Sequence, residues 1–177
     1  MNKILISKAF IVNEGKVHVK DVLIKGKRIE KIENHISESN VKETISAEGL
    51  FLLPGMIDDQ VHFREPGLTH KATINSESIA AIAGGVTSYI EMPNTIPQTT
   101  TVKEFDKKRL IASRNSAANY SFMFGVTNDN YSEILKLNKS NVPGLKMFLG
   151  SSTGQMLVDD YETINKIFRN IDLVISA

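Results

Sequence analysis

Apolar and polar positions alternate along the first fifty residues and then give way to apolar runs separated by helical patterns. Ile4 to Val12 is rich in β-branched residues, and Asn13-Glu14-Gly15-Lys16 has turn chemistry. Val17, Val19 and Leu23 then alternate with polar neighbours, and Lys25-Gly26-Lys27 makes a second turn leading to Ile29 and Ile32. This spacing predicts a small antiparallel sheet with one buried face.

The pattern changes at Phe51-Leu52-Leu53-Pro54-Gly55. The apolar runs are then Gly55 to Ile57, Val86 to Met92, Tyr120 to Val126, Leu145 to Leu149 and Ile171 to Ile175. Helical patterns lie between them. Ser78 to Ala83 places Ile79, Ile82 and Ala83 on one face, with Gly84 to stop it. Thr101-Val102-Lys103-Glu104 is a capping box opening a helix to about Ala117. Tyr131, Ile134 and Leu135 mark a third helix. Tyr161, Ile164, Ile167 and Phe168 mark a fourth, with Asp159 as its N-cap and Glu162 three residues on. Repeated strand–helix units predict a parallel α/β sheet, as a doubly wound sheet or a (β/α)8 barrel. No strand is followed by G-x-G-x-x-G or a phosphate-binding loop, so nothing supports the nucleotide-binding version.

Composition narrows the function classes. The chain has 177 residues and a formal net charge of +1, which gives no electrostatic footprint for nucleic acid or a membrane surface. The basic run Lys107-Lys108-Arg109 reads as a solvated helix face. Cysteine is absent, so a metal would have to use histidine, carboxylate or something rarer. No run of about 18 apolar residues suggests a membrane span. Lys3 and Lys8 interrupt the first apolar stretch and argue against a signal peptide, so the expected location is cytoplasmic.

The densest polar segment follows the first apolar run of the second region: Asp58-Asp59-Gln60-Val61-His62-Phe63-Arg64-Glu65-Pro66-Gly67. Strand alternation points Gln60, His62 and Arg64 the same way, toward the mouth of a site at a strand's C-terminal end. Arg64 can grip a carboxylate with paired hydrogen bonds. The bland alternative is a satisfied core histidine and a surface arginine; the density of polar residues there favours the site. Asn94, in Glu91-Met92-Pro93-Asn94-Thr95, could be a turn residue, and gains meaning beside Arg64. Lys146, in Gly144-Leu145-Lys146-Met147-Phe148, is a cation inside an apolar strand, costly unless paired, modified or reaching to solvent. The loop 150–154 reads as a site loop without a firm role, and His18, His35 and His70 are not expected to be ligands.

His62-Phe63-Arg64-Glu65-Pro66-Gly67 and Met92-Pro93-Asn94-Thr95 resemble the signatures of the dihydroorotases, and Lys146-Met147-Phe148 resembles the lysine strand of hydantoinase- and dihydroorotase-type amidohydrolases. The resemblance implies a (β/α)8 TIM-barrel amidohydrolase fold, with residues 1–53 as a small β-sandwich portion and 54–177 as the first five βα units of the barrel. It implies Arg64 and Asn94 as binders of the substrate carboxylate, His62 as a metal ligand, and Lys146 as a carboxylated lysine able to bridge two metal ions, with one or two divalent ions, typically zinc, as the expected cofactor. The reaction would be reversible cyclisation of N-carbamoyl-L-aspartate to dihydroorotate in pyrimidine biosynthesis. Gln60 departs from the family pattern by standing where a ligand histidine is usual, and a glutamine amide suits zinc poorly. An altered metal site, a lost one, or an inactive relative all fit that substitution. The family's general acid/base aspartate and its later histidine ligands are expected beyond Ala177, so these residues alone are expected to be inactive. Alternatives are another cyclic amidase, such as a dihydropyrimidinase or allantoinase, and an inactive dihydroorotase-like subunit partnering aspartate transcarbamoylase. A homo-oligomer is the expected assembly.

Overall fold

The computed structural model describes residues 2–37, 39–150 and 155–177, so most of the expected site loop 150–154 lies outside the described residues. The chain divides into two compact units, Met1–Pro54 and Gly55–Ala177. No helix among the described residues is long and apolar enough to cross a membrane.

In the first unit β1 (Lys3–Asn13), β2 (Lys16–Lys25) and β3 (Arg28–Glu33) form an antiparallel meander through the expected turns. Glu14 and Gly15 take left-handed backbone in the first turn, at φ 51° and 72°. The sheet is mixed rather than purely antiparallel, because β4 (Glu43–Ser46) and β5 (Phe51–Leu52) both pair parallel with β1. The polar chain after β3 carries no alternation that would announce these short strands, and they form where the long β1 still offers an open edge. Burial gathers at Leu5, Leu23 and Ile36. The expected buried face does not extend along the hairpin: Val17, Val19, Ile29 and Ile32 are exposed.

In the second unit the order is β6 (Met56–Val61), α1 (Ile74–Ala83), β7 (Val86–Glu91), α2 (Val102–Asn115), β8 (Asn119–Phe122), β9 (Phe124–Gly125), α3 (Tyr131–Ile134), β10 (Gly144–Lys146), α4 (Tyr161–Asn170) and β11 (Val174–Ser176). Every strand pair here is parallel, and spatial order follows chain order through β6-β7-β8 and then β9-β10-β11. The expected single strand over Tyr120 to Val126 is interrupted at Met123, whose N–H donates to the Glu91 carbonyl at 3.0 Å. The core beneath the strands is aromatic and aliphatic, including Tyr89, Phe105, Phe122, Phe124, Leu145, Met147 and Ile167.

Helix starts follow local capping chemistry. α1 opens earlier than expected because Thr73 accepts from the Ser76 N–H while Ser76 Oγ reaches back to the Thr73 N–H. Its buried residues are Ile74 and Ser78; Ile79 and Ile82 are 54% and 45% exposed, against the expected face. Ser78 is drawn inward because its Oγ accepts from the Ala117 N–H at 3.0 Å. Thr101 caps α2 through the Glu104 N–H. The cap of α4 is Asp160 rather than Asp159: Asp160 accepts from the Glu162 and Thr163 N–H groups, while Asp159 accepts from Asn128 Nδ2 at 2.8 Å.

Candidate active site at the strand ends

The first two parallel strands end side by side, and the Met92 N–H donates to the Val61 carbonyl at 2.9 Å. This joint brings His62 and Asn94 together, with His62 Nδ1 2.8 Å from Asn94 Oδ1. An amide oxygen only accepts, so Nδ1 is the donor in this bond and Nε2 is left without a partner among the described residues. A histidine oriented in this way is suited to present Nε2 to an electrophile or metal. Asn94 is buried, and its Nδ2 takes no partner among the described residues. Its expected role is thereby divided, with Oδ1 committed to His62 and Nδ2 left to donate.

Arg64 follows at φ 70°, a left-handed conformation rare for a residue with a Cβ. That backbone breaks the simple alternation that put Gln60, His62 and Arg64 on one face. The Arg64 N–H donates to Glu91 Oε1 at 3.1 Å. Arg64 is half-buried, and its guanidinium meets no carboxylate among the described residues. The rest of the motif is structural. Glu65 Oε2 accepts from the Ile74 N–H at 2.7 Å and so caps the first turn of α1. The Pro66 carbonyl accepts from the Ile96 N–H at 3.1 Å. Gly67 sits at φ 83°, where a Cβ would lie 1.9 Å from the Ile96 carbonyl oxygen. The two motifs read separately in the sequence are thus laced into one junction.

Beneath this junction lies a pair the sequence did not announce. Lys108 is not on a solvated face: its side chain and that of Glu91 are both 0% exposed, and Nζ is 2.8 Å from Glu91 Oε2. Lys108 also donates to the Met92 carbonyl at 2.9 Å and lies 5.2 Å from the centre of the Phe122 ring. Glu91 Oε2 has the ammonium's charge beside it but no well-aligned hydrogen bond. Burial pushes the Glu91 carboxyl up, against the pull of Lys108 and of the Arg64 and Phe63 N–H groups. Burial likewise pushes the Lys108 ammonium down, against the pull of Glu91. The available signal was helical spacing: Phe105, Lys108 and Ala112 form the inward stripe of α2.

Lys146 ends β10 as Glu91 ends β7, at the same C-terminal edge of the parallel strands. It is 9% exposed, donates to Ser176 Oγ at 3.4 Å, and lies 5.2 Å from the Phe148 ring centre. No carboxylate meets it among the described residues. Gln60 is exposed near the end of β6, and its N–H donates to Asp58 Oδ1. The structure joins His62 to Asn94 but brings neither into a polar contact with Gln60 or Lys146. A resident metal does not fit these donors alone: among the described residues no group of three or more His, Cys, Asp or Glu could hold one.

Residues 49–133 match the dihydro-orotase-like family model. The chain is 36% identical over 152 residues to a dihydroorotase of Methanosarcina acetivorans, covering 85% of this chain and 32% of the relative. It is also 36% identical over 153 residues to an allantoinase of Solibacter usitatus, covering 86% and 33%. Among solved structures, L-hydantoinase (dihydropyrimidinase) from Arthrobacter aurescens superimposes with a TM-score of 0.88 at 28% identity, covering 99% of this chain and 40% of that one. The chain spans about a third of the length of these two curated relatives. Through residues 49–133, the segment that carries His62, Arg64 and Asn94, the chain is similar to the dihydro-orotase-like family.

Proposed function

We propose that this chain is part of a cytoplasmic dihydroorotase, acting on N-carbamoyl-L-aspartate and dihydroorotate. The observation that carries the reading is the junction itself. Among the described residues the guanidinium of half-buried Arg64 meets no carboxylate and Nδ2 of buried Asn94 meets no partner, on the same laced loops as a His62 whose Nδ1 pairs with Asn94 Oδ1. Such a constellation suits a small, rigid ligand that bears a carboxylate beside a ring amide. Arg64 would hold the carboxylate through paired N–H donors, and Asn94 would add a third.

On this reading Gly55–Ala177 is the first part of a (β/α)8 barrel, and Met1–Pro54 a small β-sandwich portion. Consecutive parallel strands without a reversal of order support the barrel over a doubly wound sheet. Lys146 would be carboxylated. Its support is a lysine buried at a strand end with, among the described residues, a hydroxyl and a ring face beside its Nζ. Metal ions, zinc by expectation, would need donors beyond His62, Lys146 and Gln60. The described residues supply binding and orientation. A homo-oligomer, and association with aspartate transcarbamoylase, belong to the same reading.

A different cyclic amidase is the second reading, favoured by the allantoinase and hydantoinase similarities. The test compares binding of N-carbamoyl-L-aspartate, hydantoin and allantoin by calorimetry, together with turnover of dihydroorotate, hydantoin and allantoin. The expected result is preference for the carboxylate ligand, reduced at least about tenfold by Arg64→Met, the scale of one lost bidentate contact. Equal affinity in the variant, or preferred turnover of hydantoin or allantoin, would refute the dihydroorotase reading.

A further inference from the structure

We propose that the buried Glu91–Lys108 pair is the positioning device of this site, fixing the left-handed backbone of Arg64 and the turn that carries Asn94, and thereby selecting ligands that present a carboxylate. The inference rests on the reading of Arg64 and Asn94 as carboxylate binders.

Each polar atom of the pair is directed at a different loop. Glu91 Oε1 receives the Arg64 N–H at 3.1 Å, the residue whose φ is 70°. Backbone in that region is unfavourable for arginine and persists where surrounding contacts hold it. A bond from the Arg64 N–H to an ionised carboxylate is such a contact. Lys108 Nζ reaches the Met92 carbonyl at 2.9 Å, two residues before Asn94. With both side chains 0% exposed, neither loop can shift without leaving one charge buried and poorly matched.

Stability alone gives little reason for such a pair. Replacing a buried ion pair by apolar groups of similar volume is often neutral or stabilising. What an apolar pair could not supply is the acceptor for Arg64 and the donor for Met92. Those two bonds run to the strand-end loops that hold the candidate ligand-binding side chains.

The experiment uses the full chain with Glu91→Leu and Lys108→Met combined. Three quantities are read: the unfolding temperature, the exchange rate of the Arg64 amide by NMR relative to the Leu145 amide, and affinity for N-carbamoyl-L-aspartate and for hydantoin. The double variant is expected to unfold no earlier than wild type. Its Arg64 amide is expected to exchange about tenfold to a hundredfold faster, the scale of one lost charge-assisted bond. Affinity for N-carbamoyl-L-aspartate should fall at least about tenfold, with hydantoin unaffected.

A purely structural pair predicts something else: carboxylate affinity and Arg64 protection would both return once packing is restored, and that result overturns the proposal. The rescue variant, Glu91→Gln with Lys108→Met, keeps an acceptor for the Arg64 N–H and is expected to retain its protection. It decides the matter by itself if the first variant does not fold, since loss of protection there would also overturn the proposal. If wild type binds neither ligand yet the first variant still frees the Arg64 amide, the dihydroorotase reading falls while the positioning of the loop stands.

Discussion

Each unit of the molecule contains a buried carboxylate that accepts the N–H of a residue in left-handed backbone. In the first unit Asp21 accepts from Lys8, at φ 57°, with N···Oδ1 2.8 Å, across the register shift between Ile6 and Ala9. In the second, Glu91 accepts from Arg64, at φ 70°. The likeness ends with what surrounds them. Asp21 also accepts from the Ile36 N–H at 2.9 Å and lies 3.5 Å from His35, whose side chain is 83% exposed. Burial pushes Asp21 up, but the Ile36 and Lys8 bonds and the His35 interaction outweigh it, so its carboxyl sits below the ordinary range. Glu91 has a fully buried counter-ion, and for it burial wins. The side chains of the two left-handed residues differ as well: Lys8 Nζ pairs with Glu48 at 3.0 Å, whereas the Arg64 guanidinium meets no acid among the described residues. The same backbone device makes a stitched bulge in one unit and, in the other, a loop whose cation meets no acid among the described residues. A guanidinium without an acid among the described residues, on a loop held by a desolvated pair, marks a candidate site; a strained residue alone does not.

The contrast can be broken most forcefully at the buried counter-ion. Lys108→Ala leaves Glu91 desolvated without its partner and is expected to cost about 3–5 kcal/mol in urea unfolding. Asp21→Ala removes an acceptor from two amides in a thinner layer and is expected to cost about 1–3 kcal/mol. If Asp21→Ala proved the costlier, the view that Glu91 depends on a buried counter-ion while Asp21 rests on backbone bonds would fail.

A smaller effect tests the loops. Gly67 and Gly15 both have positive φ, 83° and 72°. A Cβ on Gly67 would strike the Ile96 carbonyl, whereas one on Gly15 meets nothing within 4 Å. Gly15→Ala is expected to cost about 1–2 kcal/mol from conformation alone. Gly67→Ala adds overpacking and is expected to cost about 3 kcal/mol in all. It should also weaken N-carbamoyl-L-aspartate binding, since it pushes the Arg64 and Asn94 loops apart. Equal costs at the two glycines would mean that the loops yield freely.

These contrasts also show what the sequence could disclose. Turns at Asn13 to Lys16 and Lys25 to Lys27, the parallel alternation after Pro54, and the two motif loops were legible because each rests on local chemistry or a short period. Features set by distant partners were not. Lys108 read as solvated because a basic triplet usually is, whereas the charge of Glu91, seventeen positions earlier, and the Met92 carbonyl make its burial tolerable. Asp159 and Asp160 are equivalent as caps until Asn128 claims the first. Ser78 is buried instead of Ile79 because the Ala117 amide needs an acceptor. The proposed site follows the same division: its residue types were visible, while the Arg64 backbone and the His62–Asn94 bond depend on the meeting of two strand ends.

The mildest test returns to the two carboxylates through pH. A carboxyl held below its unfolded value contributes stability at pH above the ordinary carboxylate range, about 3.9 for aspartate. That contribution disappears as pH falls through the folded value. Asp21 is of this kind, so Asp21→Asn should shallow the acid limb of the stability curve. Glu91 has the opposite sign. Its carboxyl is raised by burial, so its ionised form is the costly one in the folded state, and lowering the pH through its folded value relieves that cost. Glu91→Gln with Lys108→Met should therefore leave the acid limb at least as steep as in wild type. Urea midpoints measured from neutral pH downward separate the two. If both variants shallowed the acid limb alike, the carboxylates would share one electrostatic environment, and the contrast between a bonded acid and a desolvated one would be lost.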